Sequence, residues 1–407
     1  MKPIESTEST DIQQMSARAR SHDAGIALDR LFYTSQAVYD RDLEKVWSES
    51  WLWAGHTSQL PNMGDFFLFE FGSESIIIVR DGNHEIRAHL NVCRHRGSRV
   101  CLERGGNARL FSCPYHGWTY DLGGNLRSGR LMDKGFDRKS HHLLPVNVRV
   151  FQGFIFVCLA DTPPAIDGPL NRLAPMTSPF EFENLKIAHT ASYPVPANWK
   201  LALENYLECY HCASAHKEFS RSHSLKDPAS MTEELVGAMQ AKSREAGLPI
   251  ETIEETGPSA EQIGVDVYYH RYPLYPGYVT GSREGGALAP LLGELAVYDC
   301  GATDIQIGPL NNFLAYSDHV VGYRFIPKGL QQTDIQIVWL VRGDAEEGRD
   351  YKIDELTWLW DVTTRDDERI IRHNQEGVNS IHFRPGPLST MEWGISDFYH
   401  GYLAMVG

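Results

Sequence analysis

Two short segments of the sequence each combine a cysteine with a histidine. Cys93 and His95 lie in CRHRG, and Cys113 and His116 lie in CPYHGW, so the full pattern is C-x-H-x17-C-x2-H. Glycines in and around both segments permit the sharp turns that would bring the two loops together. Four metal-binding side chains in this arrangement predict one small inorganic centre held between two loops.

Two kinds of centre accept two thiolates and two imidazoles. A structural zinc site places all four ligands around one ion, whereas a Rieske cluster places both cysteines on one iron and both histidines on the other. Spacing alone leaves the two open. Zinc modules of this size usually separate paired ligands by about two to four residues, so the Cys-x-His pair favours the cluster.

The composition is that of a globular protein, with 42% hydrophobic and 22% charged residues among 407. A formal charge of −15 argues against nucleic acid or an anionic membrane as the main partner. The sequence contains no apolar run near the ~18 residues of a membrane span, and its first residues lack the apolar core of a signal peptide. A cytoplasmic location is therefore expected.

The other five cysteines are expected to be packing residues. Seven cysteines in a chain of this length do not form a disulfide scaffold. Cys209 and Cys212 have C-x2-C spacing but no second pair that would complete a zinc site. Cys101, Cys158 and Cys300 are typical of small core residues.

Shifts in composition along the chain predict four parts. Residues 1–40 form a polar arm leading into a helix, and residues 41–160 alternate short apolar runs with turns, which is typical of an all-β domain. Residues 161–180 concentrate proline and glycine as in a linker. Residues 181–407 mix strand and helix patterns and predict an α+β domain with a long helix against an antiparallel sheet. Within them, the charged stretch 218–262 is expected to be a mobile flap or surface excursion.

A second group of ligand-type residues lies in NWKLALENYLECYHCASAH. On a helix, Glu204, Glu208 and His211 would share one polar arc, with Asn205 near its edge. A solvated helix face would explain the two acids alone. His211 and His216 are five residues apart, about 140° round a helix, so they can share a metal only where the helix ends or bulges. Two histidines and one carboxylate form the facial triad of non-haem iron.

The carboxylate of such a triad has two candidate sources, Glu208 or a distant acid. In WDVTTRDDERIIRHN, Asp367 falls on the apolar stripe of a predicted long helix, and Asp366 points off it. The stripe consists of Trp360, Thr363, Asp367, Ile370, Ile371 and Asn374, and the opposite side carries Asp361, Arg365, Glu368 and Arg372. A buried carboxylate is costly without a partner, so Asp367 is expected to meet a cation.

With both groups of residues in view, the chain resembles the oxygenase α-subunit of the Rieske non-haem iron oxygenases, over nearly its whole length. The resemblance implies a β-rich domain with a [2Fe–2S] cluster, followed by a helix-grip catalytic domain with a mononuclear Fe(II). By position, the implied cluster ligands are Cys93, His95, Cys113 and His116. The implied iron ligands are His211, His216 and Asp367.

Glu208 falls where the family has an acidic bridge between centres of neighbouring subunits, and Glu208 and Asn205 are the predicted catalytic residues. The acid is usually Asp, and this chain has one residue fewer between Asn205 and the acid than the usual motif. The ECYHC version resembles the subgroup that oxidises carnitine, betaines and choline-like compounds, with aromatic-acid ring hydroxylation as the alternative. Aromatic rings bind quaternary ammonium by cation–π attraction, although ordinary packing explains the local tyrosines equally well. These are Tyr268, Tyr269, Tyr272, Tyr275 and Tyr278.

The resemblance also predicts the partners. The chain has no convincing glycine-rich nucleotide motif, so electrons are expected from a separate NAD(P)H-dependent reductase with flavin or iron–sulfur centres. Transfer between neighbouring subunits implies a homotrimer. Two other classes compete: a Rieske electron-transfer protein without its own active site, and a zinc-stabilised binding module. His211, His216 and Asp367 argue against the first.

Overall fold

A computed structural model describes residues 5–253 and 264–407. The chain divides into two compact units. The smaller is Leu52–Pro163, and the larger combines the residues up to Trp51 with Pro164–Gly407. Residues 41–51, which the sequence pattern placed with the β-rich domain, therefore group with the larger unit. No helix in the described ranges is long and apolar enough to cross a membrane.

The smaller unit consists of antiparallel strands, as the alternating pattern predicted. The first strands are β1 (Leu52–His56), β2 (Asp65–Phe71), β3 (Glu74–Arg80), β4 (Ile86–Leu90) and β5 (Gly105–Asn107). The others are β6 (Phe111–Ser112), β7 (Thr119–Tyr120), β8 (Leu126–Ser128), β9 (Pro145–Phe151) and β10 (Phe154–Cys158). One sheet has the order β1-β10-β9-β4-β3-β2-β5, and β6-β7-β8 form a small second sheet.

Burial explains why β3 reads as a continuous apolar run. Ile76, Ile77, Ile78 and Val79 are all fully buried, because β3 lies inside the sheet and is covered on both faces. One hydrophobic cluster of this unit gathers Ile77 and Val79 with Trp118 and the two cysteines of the CRHRG and CPYHGW segments. The predicted loops are thus attached to a packed core.

The larger unit begins with helices α1 (Glu5–Ser21), α2 (Leu31–Thr34) and α3 (Gln36–Asp42). After the smaller unit it continues with α4 (Asp167–Thr177), β11 (Leu185–Val195), α5 (Trp199–Tyr206), α6 (Cys212–Ala215), α7 (Phe219–Ser222) and α8 (Glu233–Ala246). It ends with β12 (Val267–Pro273), β13 (Gly301–Ile307), β14 (Asn312–Ala315), β15 (Val320–Gly329), β16 (Gln332–Arg342), α9 (Ile353–Val378) and α10 (Trp393–Val406). The sheet is antiparallel, in the order β11-β16-β15-β14-β13-β12. The predicted α+β class is confirmed.

Helices α5 and α9 cover one face of this sheet, which we call the inner face. The Tyr193 hydroxyl on β11 donates to Asp361 of α9 at 2.8 Å, and the ring of Tyr323 on β15 contacts Trp360 of α9 at 5.7 Å between centroids. The strand register shows which other side chains lie on the inner face between β16 and the edge strand β12. They are Ile335, Ile337, Asn312, Leu314, Asp304, Gln306, Tyr268 and Tyr272.

Three expectations about segments need correction. The predicted helix over 198–216 is split, because α5 ends at Tyr206 and α6 begins at Cys212. The segment 218–246 contains helices α7 and α8 with short 3₁₀ turns, regular structure that the expectation of a mobile flap or surface excursion did not include. Residues 254–262 of that prediction lie outside the described residues. The segment 161–180 contains helix α4, which its proline content did not indicate.

Candidate metal centres

The two Cys–His segments of the smaller unit form matching tight loops. In each, the glycine amide donates to the cysteine carbonyl at 3.0 Å, from Gly97 to Cys93 and from Gly117 to Cys113. Both glycines have positive φ, 77° and 74°, a conformation that other residues adopt only with strain. The loops therefore present their cysteines and histidines in the same way.

Buried contacts fix the position of the first loop. The side-chain oxygen of Asn91 accepts from the amides of Val100 and Cys101, and its amide donates to the Cys101 carbonyl at 2.8 Å. The Tyr120 hydroxyl lies 3.4 Å from Cys93 Sγ and accepts from the Arg94 amide at 3.1 Å. The loop is thus anchored at both ends and at the thiol.

The four side chains are arranged by type. Cys93 and Cys113 are buried and form no disulfide, whereas both imidazoles are exposed. His95 Nδ1 and His116 Nδ1 lie 3.1 Å apart, close to the ~3.4 Å between two nitrogens on one tetrahedral metal. The ring of Trp118 stacks on His95 at 5.0 Å. A paired-iron cluster with sulfur ligands inside and nitrogen ligands outside fits this donor set.

The larger unit brings His211, His216 and Asp367 together from two distant parts of the chain. His211 comes directly before α6 and His216 directly after it, and Asp367 lies on α9. The Nε2 atoms of the two histidines are 2.9 Å apart. Asp367 Oδ1 lies 2.9 Å from His216 Nε2 and 3.5 Å from His211 Nε2.

These distances fit three ligands on one face of an octahedron. Metal–ligand bonds of about 2.1 Å at right angles separate neighbouring donor atoms by about 3 Å. Asp367 Oδ1 is also buried, and within the described ranges no donor makes a well-aligned hydrogen bond to it, so it can face a cation together with the two imidazoles. Burial alone would raise the pKa of Asp367, but the two imidazoles outweigh it and lower that pKa. The three side chains can therefore hold a divalent metal.

Glu208 supports His211 from outside the triad. Its Oε1 lies 2.5 Å from His211 Nδ1, and its Oε2 accepts from the backbone amides of Tyr210 and His211. Accepting a hydrogen bond from Nδ1–H fixes the tautomer that leaves Nε2 free for the metal. Burial lowers the pKa of His211, but the carboxylates of Asp367 and Glu208 outweigh it and raise the pKa to about 9. Positive charge is thus favoured at this imidazole.

Two further polar side chains lie at the edge of the triad. The Asn205 side-chain amide is 3.5 Å from His211 Nε2. Asp366 Oδ2 is 3.9 Å from His216 Nδ1, and its side chain is 38% exposed. Asp366 thus faces the outer side of the His216 ring, as the helical pattern placed it away from the triad.

The predicted polar arc of Glu204, Glu208 and His211 is wrong, because the helix ends before Glu208. Glu204 instead faces the N-terminal helices and accepts from the Tyr33 hydroxyl at 2.9 Å. Burial raises the pKa of Glu204 to about 8. Helical spacing therefore grouped side chains that the backbone separates.

Cys209 and Cys212 are also corrected, since they form a disulfide rather than separate packing contacts. Cys212 Sγ lies within 4.8 Å of the nearest ring nitrogens of His211 and His216. Because it is bonded to Cys209, it offers no thiolate to a metal. The disulfide closes the short loop that carries His211.

Sequence reasoning missed the residues that line the inner face beside the triad. The ring of Tyr206 contacts Tyr323 of β15 at 4.8 Å, and Asp304 of β13 and Tyr272 of β12 lie farther along the same face of the sheet. Of the five tyrosines proposed as a cage, Tyr268 and Tyr272 lie on the inner face, whereas Tyr269 points to the other side. Strand alternation could have placed Asp304 on the same face as Tyr272, but it could not have told which face a helix covers.

Family models and known proteins match most of the chain. Residues 50–151 match the Rieske [2Fe–2S] domain, and residues 182–407 match the ring-hydroxylating alpha subunit catalytic domain. The glycine betaine monooxygenase oxygenase subunit of Chromohalobacter salexigens is 36% identical over 394 residues, which cover 94% of this chain and 86% of that protein.

Two other similarities concern part of the chain or the fold alone. The biphenyl 2,3-dioxygenase subunit alpha of Rhodococcus jostii is 36% identical over 195 residues, 46% of this chain and 42% of that protein. The structure of the quaternary ammonium monooxygenase CntA with L-carnitine covers 95% of this chain and 97% of that chain. Its TM-score is 0.70 at 22% identity, which shows a shared fold.

Proposed function

The chain belongs to the Rieske non-haem iron oxygenases, in the ring-hydroxylating alpha subunit family, and we propose that it is the terminal oxygenase of a system that oxidises a small quaternary ammonium compound. Its cofactors are a Rieske [2Fe–2S] cluster and a mononuclear iron. The observation that carries the proposal is the convergence of three ligand atoms within 3.5 Å beside an aromatic inner face. The full-length relative named for glycine betaine supports the substrate class.

The ligands follow from the two donor sets. Cys93 and Cys113 would hold one iron of the cluster, and His95 and His116 the other. The second set, His211, His216 and Asp367, would hold the mononuclear iron. Iron bound there would supply the activation of dioxygen.

Side chains around the proposed iron site would orient its ligands, bind the substrate and exclude water. Glu208 keeps the proton on His211 Nδ1 and so holds Nε2 toward the iron. The Asn205 amide can donate to a group placed beside His211. Tyr206, Tyr323 and Trp360 wall the neighbouring space with aromatic rings, which exclude water and suit an apolar or cationic substrate.

Two partners complete the proposed system. Electrons would come from a separate NAD(P)H-dependent reductase. The exposed edges of His95 and His116 suit electron transfer across a surface, and a homotrimer would bring the cluster of one subunit to the iron of the next. A study of CntA names inter-subunit electron transfer in that protein. Glu208 would form the link on the iron side.

The reaction would consume one dioxygen, two electrons and two protons for each substrate. One oxygen atom enters the substrate at a carbon next to nitrogen and the other leaves as water, so an N-methyl group would leave as formaldehyde. The test is turnover by the loaded enzyme with a surrogate reductase, on matched panels of betaines and aromatic acids. We expect NADH oxidation and equimolar formaldehyde with a betaine. Ring-hydroxylated products from an aromatic acid, without betaine turnover, would overturn the substrate class.

A further inference from the structure

Asp304 on β13 carries a carboxylate that the fold leaves without a cation. Its Oδ2 accepts a 3.4 Å hydrogen bond from Gln306, while its Oδ1 is buried and accepts none. Among the described residues no cationic side chain lies within ion-pair distance of Asp304. A carboxylate withdrawn from water normally finds a positive partner or becomes protonated.

The position of Asp304 is on the inner face, among aromatic rings. Burial raises the pKa of the Tyr206 phenol well above its usual range, and the negative charge of Asp304 is the second-largest cause. The same two causes raise the pKa of Tyr272. Both phenols therefore stay neutral at physiological pH, and both lie near enough to Asp304 for its charge to act on them.

This group of side chains is continuous with the proposed iron site. Tyr206 follows directly after Asn205, whose amide lies 3.5 Å from His211 Nε2. The Tyr206 ring also contacts Tyr323, and the charge of Asp367 is felt at the Tyr323 phenol. Tyr206 thus follows a residue that lies beside the triad, and its phenol is near enough to Asp304 for that charge to act on it.

A small pocket opens next to this group, against Leu207 and Gln306 rather than against Asp304 itself. It has a volume of about 70 Å³ and is lined by Leu207, Tyr268, Gln306 and Trp393 among others. Gln306 is the residue that donates to Asp304. A ligand entering here would be one side chain away from the carboxylate.

Resting on the proposed function, we propose that Asp304 is the counter-ion for the substrate's quaternary nitrogen, with the rings of Tyr206 and Tyr272 beside the methyl groups. A quaternary ammonium ion donates no hydrogen bond, so a carboxylate and aromatic faces are the groups that attract it. Asp304 would thereby determine specificity for a cation over a neutral molecule of the same shape. The nitrogen would be held on the inner face, one tyrosine away from the triad.

The competing role for Asp304 is a neutral acid that donates to the carboxylate of a betaine. The substitution Asp304→Asn separates the two roles. The asparagine amide can still donate a hydrogen bond but carries no charge. It would abolish attraction for a cation, and it would preserve binding of a carboxylate.

The experiment measures dissociation constants by titration calorimetry on the enzyme loaded with cluster and iron. The probes are glycine betaine and 3,3-dimethylbutanoate, which replaces the charged nitrogen by carbon and keeps the carboxylate. The variants are wild type, Asp304→Asn and the matched control Asp334→Asn. Asp334 lies on β16 of the same sheet, on the opposite face, where it accepts from Gln336. Cluster absorbance and iron content must equal those of the wild type.

We expect wild type and Asp334→Asn to prefer glycine betaine at least tenfold, and Asp304→Asn to lose that preference by weakening glycine betaine alone. Retained preference in Asp304→Asn would overturn the role of Asp304 and leave the proposed function standing. A wild type that binds neither probe, or both equally, would overturn the substrate class and the role of Asp304 with it.

Discussion

The two histidine pairs of this molecule differ in exposure and in how the chain assembles them. His95 and His116 lie on exposed loops, each closed by a glycine within four residues of its cysteine. His211 and His216 have side chains only 18% and 2% exposed. Exposed imidazoles suit a centre that passes electrons on, and buried ones suit a centre where water must be excluded.

Asp367, the third ligand of the triad, shows a further difference between the two centres. The proposed cluster site is complete within residues 93–116, so it depends on local turns. The triad needs Asp367, which reaches the histidines only because α9 packs across the inner face. A centre built from one short segment should tolerate damage elsewhere better than a centre built by tertiary packing.

The largest expected effects break one centre and spare the other. Cys93→Ser should abolish the cluster's visible absorption and its EPR signal while mononuclear iron remains.

Asp367→Ala should remove the mononuclear iron and lower turnover more than about 100-fold, with the cluster spectrum intact. The loss is large because a lost ligand costs more than a lost outer partner. Asp366→Ala, the neighbouring control, should lose less than about tenfold. Equal losses at Asp366 and Asp367 would mean that the wrong acid has been assigned.

A smaller effect is expected where the two centres would communicate. Glu208→Gln keeps the shape but loses the charge that holds the proton on His211 Nδ1, so activity should fall about 10–100-fold. Both metals should remain, because Glu208 binds neither. Single-turnover reoxidation of the reduced cluster with substrate and O2 should slow, while reduction by the reductase stays normal. Lost iron in this variant would identify Glu208 as a ligand instead.

The affinity of the larger unit for substrate should depend on pH. Burial raises the pKa of Asp304 to about 7, partly opposed by the neighbouring side chains of Gln306 and Tyr272. If only the ionised carboxylate attracts a cation, the dissociation constant for glycine betaine should rise about tenfold per pH unit below 7 and be flat above it.

The other titratable groups beside Asp304 are Tyr206 and Tyr272, which stay neutral, and His270, its cross-strand neighbour. Protonation of His270 at low pH would act in the same direction. The comparison with Asp304→Asn is therefore essential. A flat profile in that variant assigns the effect to Asp304, and an unchanged profile assigns it to His270.

The smallest expected effect tunes the cluster without removing it. The Tyr120 hydroxyl lies 3.4 Å from Cys93 Sγ, and a hydrogen bond to a ligand sulfur stabilises the reduced, more negative cluster. Tyr120→Phe should lower the reduction potential by an amount on the order of tens of millivolts. Protein-film voltammetry measures it, and an unchanged potential would mean that the hydroxyl bonds only the Arg94 amide.

The sequence reveals the cluster loops because all of their information is local. Cysteine, histidine and glycine occur at fixed short spacings, and the fold around them follows from strand alternation. The acid at Asp367 could also be found, since its helix keeps a regular apolar stripe over 26 residues.

The rest of the iron site could not be predicted, because it depends on where regular structure stops. Helix α5 ends at Tyr206, after which the Glu208 carboxylate accepts backbone amides and forms its own turn. The helical periodicity predicted that the helix continues past Tyr206, and it therefore grouped Glu204 wrongly with Glu208 and His211. Asp304 was missed because an acid that alternates with apolar residues on a strand normally faces water.

The inner face leaves several buried polar atoms without hydrogen bonds, among them Tyr206 Oη, Asp304 Oδ1 and both side-chain atoms of Asn312. Each such atom costs about 1–3 kcal/mol of folding free energy. A ligand that satisfies them would add to the stability of the larger unit in proportion to its affinity. Candidate substrates can then be ranked by the rise in melting temperature they cause, with neither reductase nor dioxygen present.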